Sequence, residues 1–232
     1  LLPRKWLNKQ VVVTLHIPSK ENIAQDILKI LFEKNLNDEV KGIYLFGSYA
    51  REDYNLDSDI DVLVLTQHVN KLIKYENYEI SLVSEGNFLK NLPQSLNYLS
   101  LLREVKVIMN RELIEKYLSE KYNLDEKDLL KEIERIVKIN EESLITCKEN
   151  NQNIPDGIVY SVVLRLRELY LIKSLLSKKL YHKPDFLKIV GEKVYSAYNR
   201  VKRNEKELNN LSYEEIKDLS SLSLKWLKEL KN

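Results

Sequence analysis

The chain has 232 residues, of which 44% are hydrophobic and 31% are charged, and its formal net charge is +2. This is the composition of an ordinary soluble protein, and no apolar run reaches the length that a bilayer span needs. The single cysteine, Cys147, excludes an internal disulfide and, with only three scattered histidines, a structural zinc site. No signal-peptide pattern is recognisable, so we expect a cytoplasmic protein.

The first part of the chain mixes helical and extended patterns. Residues 11–17 are β-branched and apolar, which predicts a strand. Ser19 is a plausible N-cap for a helix with apolar positions at 23, 27, 28, 30 and 31. Further strands are predicted over residues 42–46, 59–65, 78–83 and 105–109, with a polar connector at 67–74, a turn between Gly86 and Pro93, and a helix near 94–102.

Beyond residue 111 the pattern becomes helical. Amphipathic stretches cover residues 111–121, 125–149, 156–178, 192–207 and 213–231, with breaks at Asn150–Pro155 and Lys183–Phe186. We therefore expect an α+β protein with two domains. A small mixed β-sheet flanked by helices would occupy residues 1–110, and an all-α helical bundle would occupy residues 111–232.

One motif carries most of the functional information. Gly47-Ser48 follows an apolar strand, and after ten residues Asp59-Ile60-Asp61 opens the next strand. Residues i and i+2 of a strand share a face and lie about 6.5–7 Å apart, so Asp59 and Asp61 can converge on one cation. Such hard oxygen ligands suit Mg²⁺. Gly47 allows close backbone approach to a phosphate, and Ser48 offers its hydroxyl and N–H at a predicted helix N-terminus.

This arrangement resembles the DNA polymerase beta-like nucleotidyltransferase superfamily, in particular its minimal members, over roughly residues 20 to 110. The helical second half makes the whole similar to the kanamycin nucleotidyltransferase arrangement, which implies that the helical domain, residues 111–232, binds the acceptor. The resemblance implies that a nucleoside monophosphate moves from an NTP, with ATP expected, to an acceptor hydroxyl with release of pyrophosphate. It also implies Mg²⁺ (or Mn²⁺), held by Asp59, Asp61 and a third carboxylate. Taken alone, the acidic stretch at 57–61 is more typical of a turn.

Glu79 is our candidate for the third metal ligand, because it is the single acid inside the predicted strand 78–83. The alternatives are a solvent-facing role for Glu79, or Glu76 or Glu85 at the ends of that strand. Gly47, Ser48 and Arg51 are the candidate nucleotide-binding residues. Arg51 is placed to contact a phosphate, and its alternative role is a salt bridge to Asp53 or Asp57.

The acceptor is left open between RNA, a small molecule and a protein. A homodimer is possible, and no interaction with a membrane is expected. The segment from Arg165 to Lys206 has twelve basic and four acidic residues with interleaved tyrosines, which could attract phosphates or simply be a solvated surface. Glu168 is a candidate catalytic base, with an ion pair to an arginine as the alternative. Other functions that remain are adenylylation of a partner protein as a toxin–antitoxin-type regulator, and an inactive nucleotide-binding module.

Overall fold

The computed structural model describes residues 17–55, 58–120, 122 and 126–231. The chain divides into two compact units, residues 1–40 and residues 41–232. In the first unit, helix α1 (Lys20–Glu33) begins at the predicted cap: Asn22 N–H donates to Ser19 Oγ, and Ser19 N–H donates back to the Asn22 side chain. A short 3₁₀ turn at Asn37–Glu39 follows. Residues 11–16 of the strand that was predicted over 11–17 lie outside the described residues.

A five-stranded mixed sheet carries the motif. Its strands are β1 (Val40–Phe46), β2 (Ile60–Thr66), β3 (Lys71–Tyr75), β4 (Tyr78–Ser84) and β5 (Lys106–Met109), in the order β3-β4-β2-β1-β5. Strands β2 and β4 run parallel, whereas β3–β4 and β1–β5 are antiparallel. The prediction of a polar connector at 67–74 was wrong for residues 71–74, because β3 begins at Lys71. Only Ile73 of β3 is buried, and charged side chains are usual on an edge strand.

Short helices flank the sheet. They are α2 (Gly47–Arg51), α3 (Glu85–Asn91), α4 (Leu96–Glu104) and α5 (Arg111–Ser119), with a 3₁₀ turn at Leu92–Gln94. The sequence predicted a turn where α3 forms. Apolar side chains from the sheet and from α3, α4 and α5 make one hydrophobic cluster around the fully buried Tyr44, Phe88 and Tyr117.

The remaining helices are α6 (Glu126–Glu149), α7 (Asp156–Leu176), α8 (Lys183–Val190), α9 (Glu192–Lys202) and α10 (Tyr213–Lys231). The break predicted at Lys183–Phe186 is instead the start of α8, with Pro184 in its first turn, where a missing N–H costs no hydrogen bond. A second hydrophobic cluster joins these helices. None of the helices in the described ranges has the length and hydropathy that crossing a membrane requires.

The α+β class is therefore confirmed, with a mixed sheet first and a helical region after it. A buried ion pair fixes the start of α7: Asp156 is fully buried and accepts hydrogen bonds from Arg200 at 2.7 and 3.1 Å and from the Leu208 N–H at 3.0 Å. This pair holds α7 against α9 and the segment that follows it. The domain boundary at residue 110 stays a prediction.

Candidate active site

Gly47 and Asp61 are packed against each other where β1 passes into α2. Gly47 has φ +71°, which only glycine adopts without strain, and a Cβ here would overlap the Asp61 carboxylate, with 3.0 Å to its Cγ. Glycine is thus required at position 47 both by its backbone conformation and by the carboxylate beside it.

The strand pattern separates the two motif aspartates from the core. Ile60 and Val62 are fully buried, as predicted, while Asp59 is exposed just before β2 and Asp61 is partly buried at its second position. Glu79 of β4 is the register partner of Asp61 in the parallel pair β2–β4. The structure therefore brings Asp59, Asp61 and Glu79 to one end of two adjacent strands.

These three carboxylates form an acidic group that nearby cations compensate only in part. Burial, followed by the negative charges of Glu79 and Asp59, raises the pKa of Asp61 to about 6, against the opposing effects of Lys202 and Arg51. Glu79 makes an ion pair with the exposed Lys74 at 3.1 Å. In the described parts of the chain, no three His, Cys, Asp or Glu side chains converge closely enough to hold a metal ion in this conformation. The donor chemistry nevertheless fits Mg²⁺, because all three are hard oxygen ligands.

Arg51 lies at the centre of a charge network beside the motif. Its Nε and Nη2 donate to the two carboxylate oxygens of Asp53 at 3.1 and 3.2 Å, and its Nη1 donates to Glu104 at 2.6 Å. The guanidinium also stacks 5.1 Å from the centre of the Tyr181 ring. The ion pair to Asp53 was the alternative that the sequence offered, and a phosphate contact by Arg51 stays a prediction.

Glu104, at the end of α4, accepts hydrogen bonds from the groups that are expected to bind phosphate. One carboxylate oxygen accepts the Gly47 N–H at 3.0 Å, and the other accepts the hydrogen bond from Arg51. The Glu104 side chain is only 8% exposed. Sequence reasoning missed this residue because the predicted helix ended before it and nothing local connects it to residue 47.

A cavity of about 1020 Å³ opens in front of the motif. One wall comes from the sheet and its turn, and includes Gly47, Ser48, Asp59, Asp61 and Glu79. The opposite wall comes from the helices, and its polar members are Arg167, Tyr181, Lys183, Tyr195, Tyr198, Asn199, Lys202, Arg203 and Asn204. The helical region thus provides one side of the candidate active site. The sequence signalled these residues only as part of the basic, tyrosine-containing segment.

Three further acidic candidates are placed differently. Glu168 makes an ion pair with Arg165 at 2.8 Å and is not among the residues that line the cavity; burial raises the pKa of its carboxyl group. Glu85 bonds to Lys41 and Tyr117. Glu76 occupies the β3–β4 turn with φ 52°. The geometry therefore favours Glu79 over Glu76 and Glu85, and it gives Glu168 the ion-pair role.

Comparison with known proteins agrees with this picture. Residues 24–219 match the family model described as "Nucleotidyltransferase domain". A Methanocaldococcus jannaschii protein named "Putative protein adenylyltransferase" is 49% identical over 37 residues, which are 16% of this chain and 37% of that protein. The chain thus matches little more than a third of that relative's length.

Among solved structures, a nucleotidyltransferase-like protein from Exiguobacterium sibiricum is similar, with a TM-score of 0.34 and 16% identity over 90% of this chain and 75% of the other. The family model spans well over half of the chain, from α1 into α10. The chain therefore belongs to the nucleotidyltransferase domain family.

Proposed function

We propose that this protein transfers a nucleoside monophosphate from an NTP, with ATP as the expected donor, to an acceptor hydroxyl and releases pyrophosphate. The observation that carries the proposal is the packing of Gly47 against Asp61 at the edge of a large cavity, with Asp59 before Asp61 and Glu79 beside it in register. This arrangement joins the expected phosphate-binding turn to the acidic residues within one site.

Each residue has a distinct proposed role. Asp59, Asp61 and Glu79 would hold the divalent cation, Mg²⁺ or Mn²⁺. Once bound, the cation offsets negative charge on the attacking and leaving oxygens and lowers the pKa of the acceptor hydroxyl. Gly47 and Ser48 would position the β and γ phosphates, and Arg51 would contact a phosphate when Glu104 releases its Nη1. The helical wall of the cavity would receive the acceptor, in keeping with a boundary near residue 110 between a nucleotide domain and an acceptor domain.

The direct test is incubation of the purified protein with each α-labelled NTP and Mg²⁺ or Mn²⁺. Total RNA, a protein lysate and aminoglycosides serve as separate acceptor arms. We expect label to appear on one class of acceptor, with ATP as the best donor and pyrophosphate released in equal amount. If no label is transferred and no divalent-dependent NTP binding is detected, the proposal is wrong. NTP binding without transfer in any arm would favour the inactive binding module.

A second candidate is adenylylation of a partner protein. The printed name of the Methanocaldococcus jannaschii relative favours it, although the match covers only 37 residues. The acceptor would then be a side-chain hydroxyl of another protein. Label that remains on protein after nuclease treatment and migrates at the mass of a partner would support this candidate, whereas label recovered only on RNA or on small molecules would contradict it.

A further inference from the structure

The charged side chains of the helical wall are all basic, whereas the sheet wall combines carboxylates with Arg51, Lys71 and Lys74. The sheet wall has the carboxylates of Asp59, Asp61 and Glu79. On the helical wall, three basic side chains come from three successive helices: Arg167 from α7, Lys183 from the start of α8 and Lys202 from the end of α9. We call these three residues the cavity cations. Helix packing brings them together although 35 residues separate the first from the last.

The cavity cations differ from six of the other nine basic residues of the segment in having no ion pair. Half of the twelve basic residues between Arg165 and Lys206 are neutralised by a carboxylate: Arg165, Lys173, Lys188, Lys193, Arg200 and Arg203. Across the described ranges, by contrast, no carboxylate forms a salt bridge with Arg167, Lys183 or Lys202. The charge that the segment shows in sequence is therefore reduced by pairing, except in this cavity and at three exposed lysines (Lys178, Lys179 and Lys206).

The cavity cations lie among aromatic rings and other positive charges, and two carboxylates, Asp53 and Asp61, act on them without forming an ion pair. Arg167 lies 5.5 Å from the centre of the Tyr181 ring and has the Tyr198 hydroxyl as a hydrogen-bond partner. Burial, and then the positive charges of Arg51, Lys202 and Arg167, lower the pKa of Lys183 despite the opposing charge of Asp53. That carboxylate is already bound by Arg51, and it also accepts the Lys183 backbone N–H at 3.1 Å. Clustered cations that form no ion pair repel one another, and the burial of Lys183 adds to this cost, so an anion that binds between them is stabilised.

We propose that Arg167, Lys183 and Lys202 form a phosphate-binding cluster that holds a ligand's phosphate group opposite Asp59 and Asp61. Arginine binds phosphate through two parallel hydrogen bonds, and lysine acts as a mobile point charge. The Tyr195 and Tyr198 hydroxyls lie on the same wall and add hydrogen-bonding groups. The phosphate belongs either to the polyphosphate of the NTP or to the acceptor. The same charges disfavour a polycationic acceptor such as an aminoglycoside.

This inference rests on the proposed nucleotidyl transfer for its biological meaning, but phosphate binding is measured without turnover. The test is calorimetric titration of the full chain with α,β-methylene-ATP and Mg²⁺, with AMP, and with inorganic phosphate. One variant carries Arg167→Gln, Lys183→Gln and Lys202→Gln. Its matched control carries Lys178→Gln, Lys179→Gln and Lys206→Gln, which removes the same charge from exposed positions of the same segment. Since the Arg167 change could unfold the protein, the exposed Lys202→Gln is also measured alone.

For the probe whose phosphate occupies the cluster, we expect at least a tenfold loss of affinity in Lys202→Gln and a larger loss in the triple variant. The control triple variant should bind every probe as the wild type does. If the cluster holds the nucleotide's own phosphates, the loss appears for α,β-methylene-ATP and not for AMP. If the cluster holds an acceptor phosphate, the variants bind the analogue as tightly as the wild type does. Once the analogue has saturated the protein, the wild type still binds inorganic phosphate, whereas the variants do not. Either pattern supports the cluster.

Two results would overturn the inference. One is unchanged affinity for both the analogue and inorganic phosphate in every folded cavity variant. The other is an equal loss in the control triple, which would show only a general effect of net charge. Failure of the proposed function looks different: phosphate binding would still depend on the cavity cations, but no acceptor would be labelled.

Discussion

Gly47 and Asp61 are mutually constrained: the positive φ of the glycine and the carboxylate next to it leave no room for a Cβ. The phosphate-binding turn and the acidic strand are therefore one structural unit rather than two adjacent motifs. A change at either residue is expected to affect the other.

Gly47→Ala is the first test of this unit. Alanine would be strained at this φ by about 1–2 kcal/mol and would push the Asp61 carboxylate aside. We expect a modest fall in melting temperature and about a hundredfold loss of transfer, because displacement of a reacting group by about 1 Å can have that effect.

The matched control is Gly157→Ala in the first turn of α7, where a Cβ would meet no atom within 4 Å. This change should leave transfer unaltered and should stabilise the protein slightly, since alanine favours the helix over glycine by about 1 kcal/mol. Full activity in Gly47→Ala would show that the close packing against Asp61 has no functional role.

Glu104→Gln tests whether this carboxylate competes with nucleotide phosphates. The amide can still accept the Gly47 N–H, while Asp53 still holds Arg51 through two hydrogen bonds. We expect MgATP to bind about fivefold more tightly, or roughly 1 kcal/mol, because a negative charge is removed next to the phosphate groups. Calorimetric titration measures the change, with Glu52→Gln, an exposed partner of Lys106, as control. Weaker binding in Glu104→Gln would mean that the carboxylate positions Arg51 rather than competing for it.

Glu79→Gln should impair turnover more than nucleotide affinity, because this residue is proposed to act on the acceptor side of the site. Its ion pair with the exposed Lys74 contributes little to stability, so the fold should persist. Glu76→Gln, in the preceding turn, is the control. A tenfold or greater loss of nucleotide binding with normal turnover at saturation would show that Glu79 serves the nucleotide instead.

The buried pair Asp156–Arg200 predicts a pH dependence of stability. Burial raises the pKa of Asp156, but hydrogen bonds from Arg200 and the Leu208 N–H outweigh it, so the folded-state pKa lies below its usual value. The stabilisation is therefore complete above the unfolded-state pKa of about 3.9 and is lost as the pH falls through the lower folded-state pKa.

Asp156→Asn should lower the free energy of unfolding at neutral pH by about 3–5 kcal/mol, since it leaves Arg200 unpaired. It should also remove part of the acid dependence below pH 4, as measured by denaturant titration from pH 2 to 7. Asp128→Asn, on the exposed surface of α6, should change neither quantity noticeably. An unchanged acid limb in Asp156→Asn would contradict the assignment.

The sequence predicted those features that depend on local pattern. Short apolar runs identified β1, β2 and β4, and the side-chain period of two correctly separated the buried Ile60 and Val62 from the motif aspartates. Strand β3 escaped notice because only Ile73 of its five residues is buried, which leaves no alternation to detect. Helix α8 escaped notice because Lys183-Pro184 at a helix start looks like a break when the following packing is unknown.

The opposite wall of the cavity depends on tertiary structure and could not be located from spacing. Arg167, Lys183 and Lys202 were counted in a basic segment, but sequence alone did not separate them from residues such as Arg200, which is neutralised by Asp156. Charge reversal at Arg200 would therefore break a buried ion pair and would not report on phosphate binding by the segment. Glu104 likewise meets Gly47 only through the folding of α4.

The central claim is that Asp59 and Asp61 hold the divalent cation that nucleotidyl transfer requires. The most direct measurement is the transfer of label from α-labelled ATP by the Asp59→Asn and Asp61→Asn variants, with Asp128→Asn as the control. We expect at least a hundredfold loss in both site variants, or about 2.7 kcal/mol of transition-state stabilisation, with wild-type activity in the control. The melting temperature without divalent ions should be unchanged or slightly raised, because carboxylate repulsion is relieved. Retention of more than about a hundredth of the activity by a folded Asp61→Asn variant would contradict the account.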